Sequence, residues 1–210
     1  HTDLAVKALQ KDAGIPANGI LDSQLAQALF DMSAFVLVSG GDNNVRQMQQ
    51  YLNTNYRQYT GILPADGIYQ RATNTALIYG VQVELGLGNV ANGFWGPTTI
   101  ASYKSAFANG LGGKITRLVQ YALYVNMKEY LATKGTTGPA ITGALDGTTQ
   151  NILSQFQSFM MLDPVQKGQP DSTTMYSLML SSGNPARSFF GMDTSYQLDS
   201  SMIKALVAYE

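Results

Sequence analysis

Few side chains in this sequence can do covalent or metal chemistry. Its 210 residues include no cysteine and a single histidine, His1, at the terminus. Zinc held by His or Cys is therefore excluded within the chain. Ser-His-Asp and Cys-His nucleophile systems are excluded with it, and no metal or cofactor is expected. What is left is recognition chemistry. Trp95, the only tryptophan, sits in the stretch ANGFWGPTTI. A solvent-facing indole there would stack on a sugar ring, whereas an inward one would plug the core. Tyr69 holds the equivalent place in a preceding stretch, with the same two readings. Arg71 follows it, and a guanidinium can clamp a carboxylate with two parallel hydrogen bonds. Its plain alternative is a solvated residue at a helix start. Asn92, in the same turn as Trp95, completes the set of ligand-binding candidates.

The composition points the same way. Charged residues make up 13% of the chain and the net charge is −1, against a usual charged share of about a quarter. That gives no electrostatic footprint for nucleic acid. Gly, Ser, Thr, Asn, Gln and Tyr supply the polar surface instead, a composition suited to uncharged polar ligands, glycans included. The apolar runs fall short of the roughly 20 residues a membrane span needs, so no membrane insertion is expected. The opening DLAVKALQ reads as the inside of a helix. The chain is thus expected to be a mature form or an excised piece, without a signal peptide.

The elements that hold these candidates come from a repeat. Counting from Gly93, Gly96 stands three residues on, Thr99 six on and Tyr103 ten on. The same marks are Asp22, Leu25 and Leu29 after Gly19, and Gln70, Thr73 and Leu77 after Gly67. They are Asp146, Thr149 and Leu153 after Gly143, and Asp171, Thr174 and Leu178 after Gly168. The first glycine follows Asn18, Asp66, Asn92, Thr142 or Lys167. Asn-Gly and Asp-Gly favour a tight turn with positive φ at glycine. The second mark is a helix N-cap: Asp22, Asp146, Asp171 or Gly96. Pro97 then falls at the first helical position, where a missing N–H costs nothing. The last mark is large and apolar, about two turns into the helix on its burying face.

An apolar-Gln pair precedes every unit: Leu9-Gln10, Met48-Gln49, Val81-Gln82, Val119-Gln120 and Phe156-Gln157. The recurring glutamines are expected to hydrogen-bond loop backbone. Their separations from the turn glycine are 9, 18, 11, 23 and 11 residues. From the second copy on, long and short loops alternate, so the real repeat is a pair of units: three helices joined by two turns. Residues 45–107 form one pair and 115–182 a second, more divergent one. Residues 1–32 hold only the short-loop half, and the pattern expects the long-loop half before His1. Residues 33–44 and 108–114 read as linkers.

These residues resemble the three-helix peptidoglycan-binding domain of bacterial cell-wall hydrolases. Its signature is a D-G-x-x-G-x-x-T turn-helix unit, then A-x-x-x-F-Q, then a second such unit. ADGIYQRATNTALIYGVQ and ANGFWGPTTIASY fill these places in the first pair, TGALDGTTQNILSQFQ and KGQPDSTTMYSLM in the second. Gln70 departs from the second glycine of the motif, and Thr142 and Lys167 from the aspartate before glycine. The fold implied is mainly α, with tandem three-helix domains. The partner implied is peptidoglycan, as glycan or stem peptide, with Arg71 placed for a stem-peptide carboxylate. The localisation implied is secreted and cell-wall-associated.

The last stretch, SFFGMDTSYQLDSSMIKALVAYE, is similar to the opening of glycoside-hydrolase-like barrels of wall enzymes, including muramidase-like ones. The resemblance implies that residues 189–210 are a short strand and helix of an incomplete barrel. Asp193 then stands at the strand end, where barrel active sites gather, as the one catalytic candidate; a turn aspartate is the plain alternative. Glycosidases use two carboxylates, and no second one is assigned here. The expected function is therefore non-catalytic wall binding that targets an attached glycoside-hydrolase-like domain. The alternatives are the arm of a muramidase-like hydrolase and a helical scaffold or spacer.

Overall fold

The computed structural model describes residues 2–31 and 33–182. Eight α-helices are present among them, and no strand: α1 (Thr2–Ala13), α2 (Ser23–Phe30), α3 (Asn43–Thr60), α4 (Arg71–Glu84), α5 (Pro97–Ala108), α6 (Gly113–Thr133), α7 (Gly147–Phe159) and α8 (Ser172–Ser182). A single 3-10 turn, Gly88–Val90, lies between α4 and α5. The mainly helical class expected from the sequence is what these residues form. The expected strand-helix fragment at 189–210, with Asp193, lies outside the described residues.

Local chemistry starts the helices. The Asp22 carboxylate accepts the Leu25 N–H at 2.9 Å, Asp146 that of Thr149 at 2.7 Å and Asp171 that of Thr174 at 2.8 Å. Each satisfies a donor that has no partner inside its own helix. Gly96 caps α5 in extended conformation, with Pro97 as the first helical residue. The five turn glycines all have φ between 71° and 81°. At Gly67 this requirement is joined by a close approach, since a Cβ there would sit 2.7 Å from the Asp42 carbonyl oxygen.

Packing unites α3 to α8. Leu52 and Tyr56 of α3, Leu77 and Val81 of α4, Tyr103 of α5, Leu118 of α6, Phe156 of α7 and Met175 of α8 belong to one buried cluster. α4 lies against both α3 and α6, and α8 lies against α4, α5 and α6. The Tyr103 hydroxyl donates to the Pro170 carbonyl at 2.8 Å. Burial, with the Asp171 carboxylate behind it, pushes that phenol well above its ordinary range. Burying a side chain of this size contributes about 2–3 kcal/mol. Residues 108–114 connect α5 to α6, and the core runs across that connection.

A smaller cluster holds α1 and α2: Ala13, Ile15, Leu25, Ala28, Phe35 and Ala65. It is tied to the main body through α3. Asn53 Nδ2 donates to the Ala13 carbonyl at 2.8 Å and to that of Leu63 at 2.9 Å. The Arg46 guanidinium donates to the carbonyls of Ala65 at 3.0 Å and Phe35 at 2.9 Å. Asp42 caps α3 and accepts from Tyr124 Oη at 2.8 Å and Lys128 Nζ at 3.1 Å on α6.

Candidate functional site

The recurring glutamines build the turns that carry the candidate residues. In all five copies the glutamine Oε1 accepts the N–H of the turn glycine, at 2.8–3.0 Å. In all five its Nε2 donates to the carbonyl of the residue after that glycine, at 2.8–3.0 Å. The expected loop-backbone role of Gln49, Gln82, Gln120 and Gln157 is therefore what the structure places there. Where the third mark is Thr99, Thr149 or Thr174, its hydroxyl accepts from the same Nε2. A primary amide has one acceptor and a two-hydrogen donor, so a single side chain pins both sides of the turn. The turns are consequently fixed platforms, and what they present is set by the residues flanking glycine.

Asn92 is part of that frame. Its Oδ1 accepts the Phe94 N–H at 3.0 Å and Gln82 Nε2 at 3.1 Å, while the residue as a whole is exposed. Trp95 is 8% exposed and its ring lies 5.5 Å from that of Tyr103. Its Nε1 is buried with no hydrogen-bond partner. That packing role leaves little of the indole to a ligand. Tyr69 is half-buried, and its hydroxyl donates to Asn74 Oδ1 at 2.8 Å. Arg71 is exposed at the first position of α4 and forms no ion pair among the described residues. The turn of Asn92 packs on α4, since a Cβ at Gly93 would meet the side chains of Thr75 and Tyr79. Asn92 and Trp95 thus lie along the helix that Arg71 begins.

A feature that the sequence reading missed lies between α2 and α3. An open groove of about 330 Å³ is lined by Gln24, Thr54, Asn55, Arg57 and Gln58. Every lining residue is polar. Arg57 pairs with Asp22 at 3.2 Å, and Gln24 Nε2 donates to the Arg57 carbonyl at 3.1 Å. Asn55 Nδ2 donates to the Tyr51 carbonyl at 2.8 Å. Gln58 is exposed, and its side chain forms no hydrogen bond among the described residues. The Gln58 amide beside the Arg57 guanidinium suits hydroxyl, amide or carboxylate groups of a ligand. No motif of the sequence marks these residues. The groove lies where Asp22 and Gln24, at the start of α2, meet Arg57 of α3.

Residues 38–179 match the family described as FadG/YbfG, PGDB-like domain. The chain belongs to this family. The FadG/YbfG domain is a peptidoglycan-binding-like fold family, which fits the resemblance read from the turn motifs, although the match adds no second tandem domain and no barrel. Among curated relatives, the uncharacterized protein YbfG of Bacillus subtilis is 40% identical over 198 residues, which cover 92% of this chain and 26% of YbfG. The uncharacterized protein FadG of the same organism is 30% identical over 211 residues, 98% of this chain and 35% of FadG. The chain therefore spans about a quarter to a third of those relatives. No solved structure matches it. No helix of the described FadG/YbfG domain is long and apolar enough to cross a membrane.

Proposed function

We propose that this chain is a non-catalytic module that binds bacterial cell-wall peptidoglycan. The observation that carries the reading is the family match over residues 38–179. The low charge of the chain and the polar groove between α2 and α3 support it, because a glycan offers hydroxyl and amide groups rather than a charged surface. In this reading the protein is secreted and wall-associated, and it holds an attached glycoside-hydrolase-like domain near its insoluble substrate by raising the local concentration. Arg71 at the start of α4 and Asn92 in the turn that packs on α4 form one contact area, and the groove at Arg57 and Gln58 forms a second.

The test is a pull-down of the whole chain with purified insoluble peptidoglycan, using variants checked for folding by circular dichroism. Sedimentation of the parent is expected. Arg71→Ala with Asn92→Ala should weaken it if the α4 platform makes contact, and Arg57→Ala with Gln58→Ala if the groove does. A folded parent that stays in the supernatant would sink the wall-binding reading. It would leave the scaffold reading, which the common core of α3 to α8 favours because the repeats there spend their apolar faces on one another. Release of soluble muropeptides by the chain alone would instead support the hydrolase alternative.

A further inference from the structure

The short-loop half at the start of the chain can be laid over the complete repeats by its glutamine. Gln10 falls on Gln82 and Gln157, so α1 corresponds to α4 and α7. In that register Leu4, Ala5 and Ala8 fall on Ala76, Leu77 and Gly80. On α4 all three are buried. A Cβ at Gly80 would lie 3.0 Å from the Tyr56 ring of α3 and 3.2 Å from Leu118 of α6. On α4 this stripe meets α3 and, at Gly80, α6 as well. On α1 the same stripe is open: Leu4 is 69% exposed, and Ala5 and Ala8 are exposed as well. Asp12 falls on Glu84, whose carboxylate accepts the Tyr56 hydroxyl at 3.0 Å.

The adjoining turn and helix repeat the contrast. Leu21 is 50% exposed where its counterpart Trp95 is 8% exposed. Leu29 is 43% exposed, whereas Tyr103 and Leu178 at the same mark are wholly buried. The opposite face of α1 is already in use, with Val6, Leu9 and Ala13 in the smaller cluster. Leu4, Leu21 and Leu29 are thus open where their counterparts Ala76, Trp95 and Tyr103 are covered.

We infer that this face is the seat of an amphipathic helix of the α3 and α6 type, bearing an apolar-Gln pair and joined to α1 by a loop of the long class. The occupant is specified by continuity with an interface already made within the chain. α3 covers the stripe on α4; on α7, which packs against α6, Ile152 at the Leu77 position is buried, while Asn151 and Gln155 at the Ala76 and Gly80 positions are exposed and half-buried. Alanines at positions 5 and 8 allow the close helix approach that Gly80 allows on α4. The curated relatives extend far beyond the matched length, which gives such a helix a place in the longer chains. The inference does not depend on wall binding.

The test fuses a second copy of residues 43–72 directly ahead of residue 1. This sets the added Gln49 at the same separation from Gln10 as the native one has from Gln82. Amide exchange in α1 is expected to slow by about tenfold or more as its open face is covered, with a fall in fluorescence of a bound hydrophobic dye. Leu4→Asp with Ala8→Asp should abolish both changes in the extended protein. Unchanged α1 exchange would overturn the inference. So would equal protection from an added segment carrying Leu52→Asp and Tyr56→Asp. If the extended protein does not fold, a peptide of residues 43–60 added to the intact chain replaces it, and failure to protect α1 overturns the inference again. Sedimentation of the unextended chain should give a monomer. A dimer dissolved by Leu4→Asp would assign the face to a second copy and also overturn it.

Discussion

Replacing Gln82 with leucine probes the device on which the whole chain is built. Gln82 is buried and makes five hydrogen bonds through one amide. It accepts the N–H groups of Asn92 and Gly93, and it donates to Asn92 Oδ1, the Phe94 carbonyl and Thr99 Oγ1. Leucine fills a similar volume with none of them. The Gly93 N–H is then buried without an acceptor, at about 1–3 kcal/mol, and the Phe94 carbonyl loses one donor, at about 0.5–1.5 kcal/mol more, while keeping the Gly96 N–H at 3.0 Å. The added apolar contact returns about 1 kcal/mol. The expected net loss is about 0.5–3.5 kcal/mol, or roughly 1–14 °C in midpoint for a chain of this size. Urea unfolding followed by circular dichroism measures it, with the slope checked against the parent so that the two-state comparison holds. Thr99→Val removes one acceptor from the same network and should lose about 1 kcal/mol, combining less than additively with Gln82→Leu because the two share partners. A loss below about 0.5 kcal/mol for Gln82→Leu, half of one ordinary hydrogen bond, would refute the idea that the amide organises the turn.

Gly67→Ala should destabilise by at least about 1–3 kcal/mol by the same assay, because φ is 81° and the new Cβ would lie 2.7–2.8 Å from Asp42 backbone atoms. Trp95→Phe should stay within about 1 kcal/mol of the parent, since it deletes an N–H without a partner and keeps an aromatic ring against Tyr103, whereas Trp95→Ala should lose about 3–5 kcal/mol. At Asp42 desolvation raises the carboxyl, but hydrogen bonds from Tyr124, the Val45 N–H and Lys128 outweigh it and hold the group below its ordinary value of 3.8. A depressed folded-state pKa stabilises above the unfolded value and loses that stability as pH falls through the folded one. Chemical-denaturation midpoints should therefore drop below about pH 4, and less so in Asp42→Asn.

The parts of the fold legible in the sequence are the ones decided by short-range chemistry. Asp22, Asp146 and Asp171 cap where their spacing from glycine places them, and each glutamine reaches its own turn within 9 to 23 residues. Neither needs to know which helix lies opposite. What was not legible is the choice of neighbour. Tyr103 reads as an inward residue of a three-helix unit, yet its hydroxyl is held by Pro170, 67 residues away. Periodicity says that a face is buried without saying against what. The groove had the same difficulty, because Thr54, Asn55, Arg57 and Gln58 are polar residues on a polar helix until α2 is brought beside them. Trp95 offered two faces, sugar-stacking and core-filling, that a single indole in a turn cannot separate. Its fit against Tyr103 is a long-range fact.

The bond from Tyr103 to Pro170, set within a core that α3 to α8 share, bears on how the protein would carry a load. Beads on a string yield one at a time when pulled, each lengthening the tether before the next is stressed. Here α3 to α8 are braced around one core, so tension applied at the ends of that stretch meets them together. Such a unit would part in a single rupture with one long release of chain, a stiff coupling rather than a graded spring between whatever it joins.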